Sequence, residues 1–182
     1  HDMKARVPGW IRKAVWTVTL DDKYALASGR AFMSGVQALV RLPMLQKARD
    51  SRAGVNTAGF ISGYRGSPLG GYDQALWQAK SHLAAQDIVF QPGVNEAMAA
   101  TMIVGTQQLD AFPGKKVDGV FGRWYGQGPG VDRSADALRG ANFMGTSRQG
   151  GVLAVSGDDH AAHSSTYPHQ TEYVFQNVFM PV

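Results

Sequence analysis

Glu96 heads a segment, Asn95 to Leu109, that is rich in alanine and methionine and otherwise free of charge. A carboxylate there can serve the helix start, where it favours the positive end of the helix dipole. Alternatively, the following AMAATMIVG supplies an apolar wall that would strip the carboxylate of water and fit it for acid–base work. A second candidate is GYRGSPLGG, Gly63 to Gly71. Its glycines let the backbone approach a flat or anionic ligand closely, and Ser67-Pro68 offers a hydroxyl on a stiffened backbone. The alternative is a plain strand-to-helix turn with Ser67 as the cap. It is not a phosphate-binding P-loop, because no Lys-Ser/Thr pair closes it.

Two further stretches invite chemistry. GQGPGVD, Gly126 to Asp132, looks superficially like a dinucleotide fingerprint, but Gly130 comes one position early and Pro129 removes a backbone donor that a phosphate would use. No acidic residue ends a following strand to hold a ribose. DDHAAHSS, Asp158 to Ser165, places His160 and His163 three apart beside two carboxylates. A metal site needs a defined third ligand, which the spacing does not supply; Asp159 or Ser165 could equally cap a helix.

The surrounding pattern must position these loops. Apolar residues recur at helical spacing from Ala31 to Asp50, with Pro43 expected to kink or split that helix. Asn56 to Ser62 suits a buried strand, Tyr72 to Leu83 a helix, Asp87 to Phe90 a strand and Asn95 to Leu109 a helix covered on most sides. The alternation continues with a strand at Val117 to Phe121, a helix at Arg133 to Phe143 and a strand at Gly151 to Ser156. Such alternation implies an α/β fold: three αβα layers around a mostly parallel sheet. Ligands of such sheets gather beyond the carboxyl ends of the strands. Gly63 to Gly71, Arg123 to Arg133 and Gly157 to Gln170 are therefore the loops to watch.

Composition narrows the class. With 44% hydrophobic and only 18% charged residues among 182, the chain is not intrinsically disordered. The absence of cysteine excludes a disulfide scaffold and a cysteine-ligated zinc or iron–sulfur site. No apolar run approaches the ~20 residues that span a bilayer, so no membrane partner is expected. A net charge of +4 comes from scattered basic residues; Arg41, Lys47, Arg49 and Arg52 read as one solvated helix face, and no nucleic-acid partner is expected. Lack of cysteine and of a signal peptide favours the cytoplasm. Residues 1–19 read as an N-terminal extension or expression remnant, and 20–182 as one domain.

Taken together, LDDKYAL, GFISGYRGSPLGGYDQALW, QPGVNEAMAATMIVGTQ, GRWYGQGPGVDRSADALRGANFMGTS and GGVLAVSGDDHAAHSSTYPHQTE, spread from Leu20 to Glu172, resemble the pyrimidine-binding domain of thiamine-diphosphate enzymes. More narrowly, the chain resembles the N-terminal part of indolepyruvate-type members of the 2-oxoacid ferredoxin oxidoreductase family. The resemblance implies a thiamine-diphosphate-binding fold and a role in the oxidative decarboxylation of 2-oxoacids, arylpyruvates among them, to acyl-coenzyme A with ferredoxin as electron acceptor. It implies that Glu96 is the catalytic glutamate, bonded to N1′ of the aminopyrimidine ring, with Ser67 and Pro68 beside the cofactor. A 2-oxoacid needs a cation for its carboxylate; Arg65, Arg123 and Arg133 are the candidates, and His163 and Ser164 match the family's loop near the substrate. Gly140 stands where members of this fused type usually carry histidine. The family's Mg²⁺-binding Gly-Asp-Gly signature and its iron–sulfur cysteines are not in this sequence, so no metal is expected here. Those functions fall to remaining domains or subunits, the isolated piece is expected to be inactive, and the assembled enzyme is expected to be a homodimer. A non-catalytic nucleotide- or anion-binding α/β domain is the alternative.

Overall fold

The computed structural model describes residues 18–182; most of the supposed N-terminal extension therefore lies outside the described residues. Strands β1 (Thr57–Gly63), β2 (Ile88–Phe90), β3 (Gly119–Gln127) and β4 (Gly151–Gly157) form one sheet, all parallel, in the order β2-β1-β3-β4. Helices α1 (Asp22–Ala25), α2 (Gly35–Arg52), α3 (Gly70–Gln78) and α4 (Lys80–Ala84) belong to one side. Helices α5 (Glu96–Gln107), α6 (Gly128–Met144) and α7 (Glu172–Asn177) belong to the other. Two cores result, one holding Val40, Ile61, Tyr72, Leu76 and Tyr125, the other Ala99, Ile103, Trp124, Val131 and Phe175. The fold is the three-layer αβα arrangement that the alternating pattern implies.

β3 extends further than the sequence suggests, through Arg123, Trp124 and Tyr125 to Gln127, and α6 begins at once with Gly128. The supposed second loop is thus strand and helix. The reason is that β3 is paired along both edges, with β1 and β4, and covered by a core on each face. Trp124 and Tyr125, adjacent and fully buried, enter opposite cores. Strand alternation puts Arg123 on the Tyr125 side.

α2 runs unbroken through Pro43, starting from a capping box in which Ser34 accepts from the Gln37 amide and donates its own amide to the Gln37 side chain. Its basic residues are not all solvated. Arg41 donates to the carbonyls of Asp22, Lys23 and Leu26, tying α1 down, and Lys47 pairs with Asp87 at 3.0 Å. The expected helix from Tyr72 to Leu83 is two helices that meet at Ala79.

Connections after β1 lead through α3 and α4 to one edge of the sheet; those after β3 lead through α6 on the opposite face to the other edge. The winding direction therefore reverses between β1 and β3. At such a switch point the loops leave in opposite directions and a crevice opens beyond the strand ends.

Candidate functional site

Three chain segments meet beyond the strand ends at that switch point. The turn after β1 carries Ser67-Pro68; the segment after β4 carries His163 and Ser164; the β3–α6 junction carries Gln127 and Gly128. A side chain at Gly157, the end of β4, would meet Leu69 and Pro68, and one at Gly66 would meet the Gln127 side chain. The Ser67 and Ser164 hydroxyl oxygens lie 2.7 Å apart although 97 residues separate them in sequence. Ser67 does not cap α3, whose N-cap is Leu69 without a side-chain bond, so its hydroxyl is left for Ser164.

Asp159 builds the second wall. Its carboxylate accepts from the amides of His163, Ser164 and Ser165 and from the Ser164 hydroxyl, at 2.6–3.1 Å. Amide donors aimed at a carboxylate favour its charged form, and the Ser164 amide in particular holds Asp159 down to about 2. Since Ser164 has one hydroxyl proton and Asp159 can only accept, Ser164 satisfies Asp159 while Ser67 can donate to Ser164 Oγ. Asp158 accepts from the amide and hydroxyl of Thr171, anchoring the far end of the same loop at the start of α7. Neither acid caps a helix across its own first turn; both close a loop. His160 and His163 are exposed, and among the described residues no group of three or more acidic or histidine side chains stands ready for a metal.

Glu96 occupies the first turn of α5, behind the Asn95 cap that accepts from the Met98 amide at 2.8 Å. It is only 3% exposed. The sequence points to the apolar residues of its own helix as the wall. The structure instead packs it on the β3–α6 junction: a Cβ at Gly130 would lie 2.2 Å from Glu96 Cγ, and one at Gly126 would lie 3.1 Å from it. Trp124 Nε1 donates to the Glu96 carbonyl at 3.0 Å, fixing the backbone. Among the described residues no protein group donates to the carboxylate; the bond Glu96 accepts is at its carbonyl. A buried carboxylate without a protein donor calls for a partner from outside.

The arginines separate. Arg65 is exposed and lines a cleft of about 220 Å³ with Tyr64, Asp73, Trp77, Pro92 and Gly93. Arg133 is exposed on the first turns of α6. Arg123 is 5% exposed, paired in register with Ile61 and Leu153, four residues short of the end of β3. Its Nη1 donates to the Leu39 carbonyl and to the Tyr72 hydroxyl. It therefore belongs to the α2 side of the sheet and Glu96 to the α5–α6 side.

Sequence reading missed the partnership of Glu96 with Gly126 and Gly130. The signal was present as glycines at a strand-to-helix junction, but it resembled a phosphate loop. It also missed His169, which is buried against Gly128, stacked on Tyr167 with ring centroids 4.9 Å apart, and 3.6 Å from Asp132.

The fold and site define an α/β domain in which the segments after β1, β3 and β4 meet at the topological switch point. Comparison with known families, with characterised proteins and with solved structures returns no match.

Proposed function

We propose that this chain is the pyrimidine-binding domain of a thiamine-diphosphate-dependent oxidoreductase of the 2-oxoacid ferredoxin type, acting on 2-oxoacids such as indolepyruvate or other arylpyruvates in the cytoplasm. The observation that carries this reading is the Glu96 carboxyl group: buried, without a donor among the described residues, and held against Gly126 and Gly130 at the β3–α6 junction. The residues present fit an aminopyrimidine, which offers a ring nitrogen to share a proton with a carboxyl group. Bound thiamine diphosphate would supply the electron sink for cleavage beside the 2-oxo carbon. Glu96 holds and exchanges a proton at N1′, and the Trp124 bond to its backbone keeps that group in place. Ser67 and Pro68 border the cofactor, with Ser164 and His163 on the facing loop. Arg65, exposed beside the Ser-Pro turn, is the cation best placed for a substrate carboxylate, and Arg133 is the second. Mg²⁺, the diphosphate contacts, the iron–sulfur clusters, ferredoxin and coenzyme A belong to the remaining domains or subunits of a homodimeric enzyme.

Nucleotide binding at GQGPG, the alternative function, is less well supported. Pro129 in the first turn of α6 offers no amide, and the Glu96 side chain packs on Gly130, where a phosphate would seek the helix N-terminus.

In the assembled enzyme, Glu96→Gln keeps the shape and removes the exchangeable proton. Turnover should fall by about 100-fold or more with circular dichroism and thermal midpoint unchanged. Turnover within twofold of the parent rejects the assignment. Calorimetry of this chain with NAD, ATP and coenzyme A tests the alternative, which micromolar binding of any of them would favour.

A further inference from the structure

The sheet carries a second opening, on the opposite face from Glu96 and toward the other end of the strands. It is a cavity of about 410 Å³ between α2 and the first residues of β1 and β4, reached beside the β4 edge. That volume falls in the ~300–1,000 Å³ range of small-molecule sites. Pro43, Phe121 and Leu153 give it apolar walls, Arg123 lies at its base and Arg148 at its rim. Asp50 also lines it, but its two oxygens are taken by Gln46 Nε2 at 2.7 Å and Thr57 Oγ1 at 2.6 Å.

Arg123 is the anomaly. A buried guanidinium normally faces a carboxylate, because removing a charge from water is expensive unless it is paired. Among the described residues Arg123 has no anionic partner within salt-bridge distance. Its two bonds, both from Nη1, go to a neutral carbonyl and a neutral phenol. Burial pushes the Tyr72 phenol up, so Tyr72 stays protonated and does not balance the charge. Among the described residues Nε and Nη2 donate to no protein group, and Arg123, 5% exposed, lines the cavity. Those two atoms are the edge with which a guanidinium grips a carboxylate in the forked geometry.

We propose that this cavity is a binding site for a small organic carboxylate, its apolar body between Pro43, Phe121 and Leu153 and its carboxylate on the Nε–Nη2 edge of Arg123. The site is separate from the crevice of Glu96 and does not rest on the thiamine reading. It stands or falls with this chain alone.

The test is titration calorimetry of the 182-residue chain with hexanoate and benzoate, beside hexan-1-ol and benzyl alcohol as neutral counterparts. At least one acid should bind, and about tenfold or more tighter than its alcohol. Leu153→Trp, a substitution at a half-exposed position on the sheet edge, fills the mouth without touching the arginine and should weaken the acid by about tenfold or more. Arg123→Lys keeps the charge but loses the fork and should weaken it likewise. Equal binding of acid and alcohol overturns the proposal, as does acid binding unaffected by Leu153→Trp, or no binding of either acid at 10 mM, roughly the weak limit of a specific small-ligand site.

Discussion

The Glu96 side chain lies against the bare backbone of Gly130, so closely that a methyl group there would stand 2.2 Å from its Cγ and 2.6 Å from its Oε1. Gly126 flanks the same side chain. The glycines of the β3–α6 junction thus make room for a carboxyl group supplied by another helix. Gly130→Ala must displace Glu96 or shift α6. The expected outcome is a loss of about 1–3 kcal/mol, the usual range for overpacking, read as a lower urea midpoint with an unchanged slope. Gly140→Ala on the same helix is the control.

That control carries its own prediction. Gly140 sits inside α6, and a Cβ there meets nothing within 4 Å. Glycine in a helix interior is less stable than alanine by roughly 0.5–1 kcal/mol. Gly140→Ala should therefore raise stability by about that amount, and a thermal midpoint that fails to rise would contradict the open space around the residue.

Pro43 and Arg123 should prove energetically coupled. Proline has no N–H for the carbonyl four residues back, which in α2 is that of Leu39, and Arg123 donates to that carbonyl instead. Pro43→Ala restores the missing amide. Arg123→Met should consequently cost about 1 kcal/mol less in the Pro43→Ala background than in the parent chain. A double-mutant cycle by chemical denaturation measures this, and strict additivity would refute it.

Acid should loosen the loop from His163 to Ser165. Asp159 has its ordinary value of 3.8 lowered to about 2 by the amides it accepts, that of Ser164 foremost. A depressed carboxylate contributes stability that is present above the unfolded value and lost as pH falls through the folded one. The Ser164 amide resonance should hold its position above pH 4 and shift as pH drops toward about 2. Asp159→Asn should abolish that titration; a midpoint near 3.8 in the parent would mean the amide bonds are absent in solution.

Much of the architecture can be read along the chain because it is periodic. Burying one face of each helix and both faces of each central strand leaves apolar spacing that survives in the sequence, and Asn95 marks a helix start by its cap chemistry. Boundaries failed where tertiary pairing overrode local preference. GRWYGQ reads as loop because of its glycines and polar residues, yet it continues β3 since neighbours on both sides supply hydrogen-bond partners. Pro43 reads as a break, yet α2 continues because a side chain from β3 serves the stranded carbonyl.

The sequence by itself determined the alternating layers, the two loops that follow β1 and β4, and Glu96 as the carboxylate worth watching. Tertiary structure alone decided which of them meet. Ser67 and Ser164 share a bond across 97 residues, Glu96 finds its wall in glycines from another element, and Arg123 falls on the opposite face of the sheet. Spacing encodes which face of its own element a residue occupies. Contacts between elements depend on strand order and on where each crossover lands, which no local pattern carries.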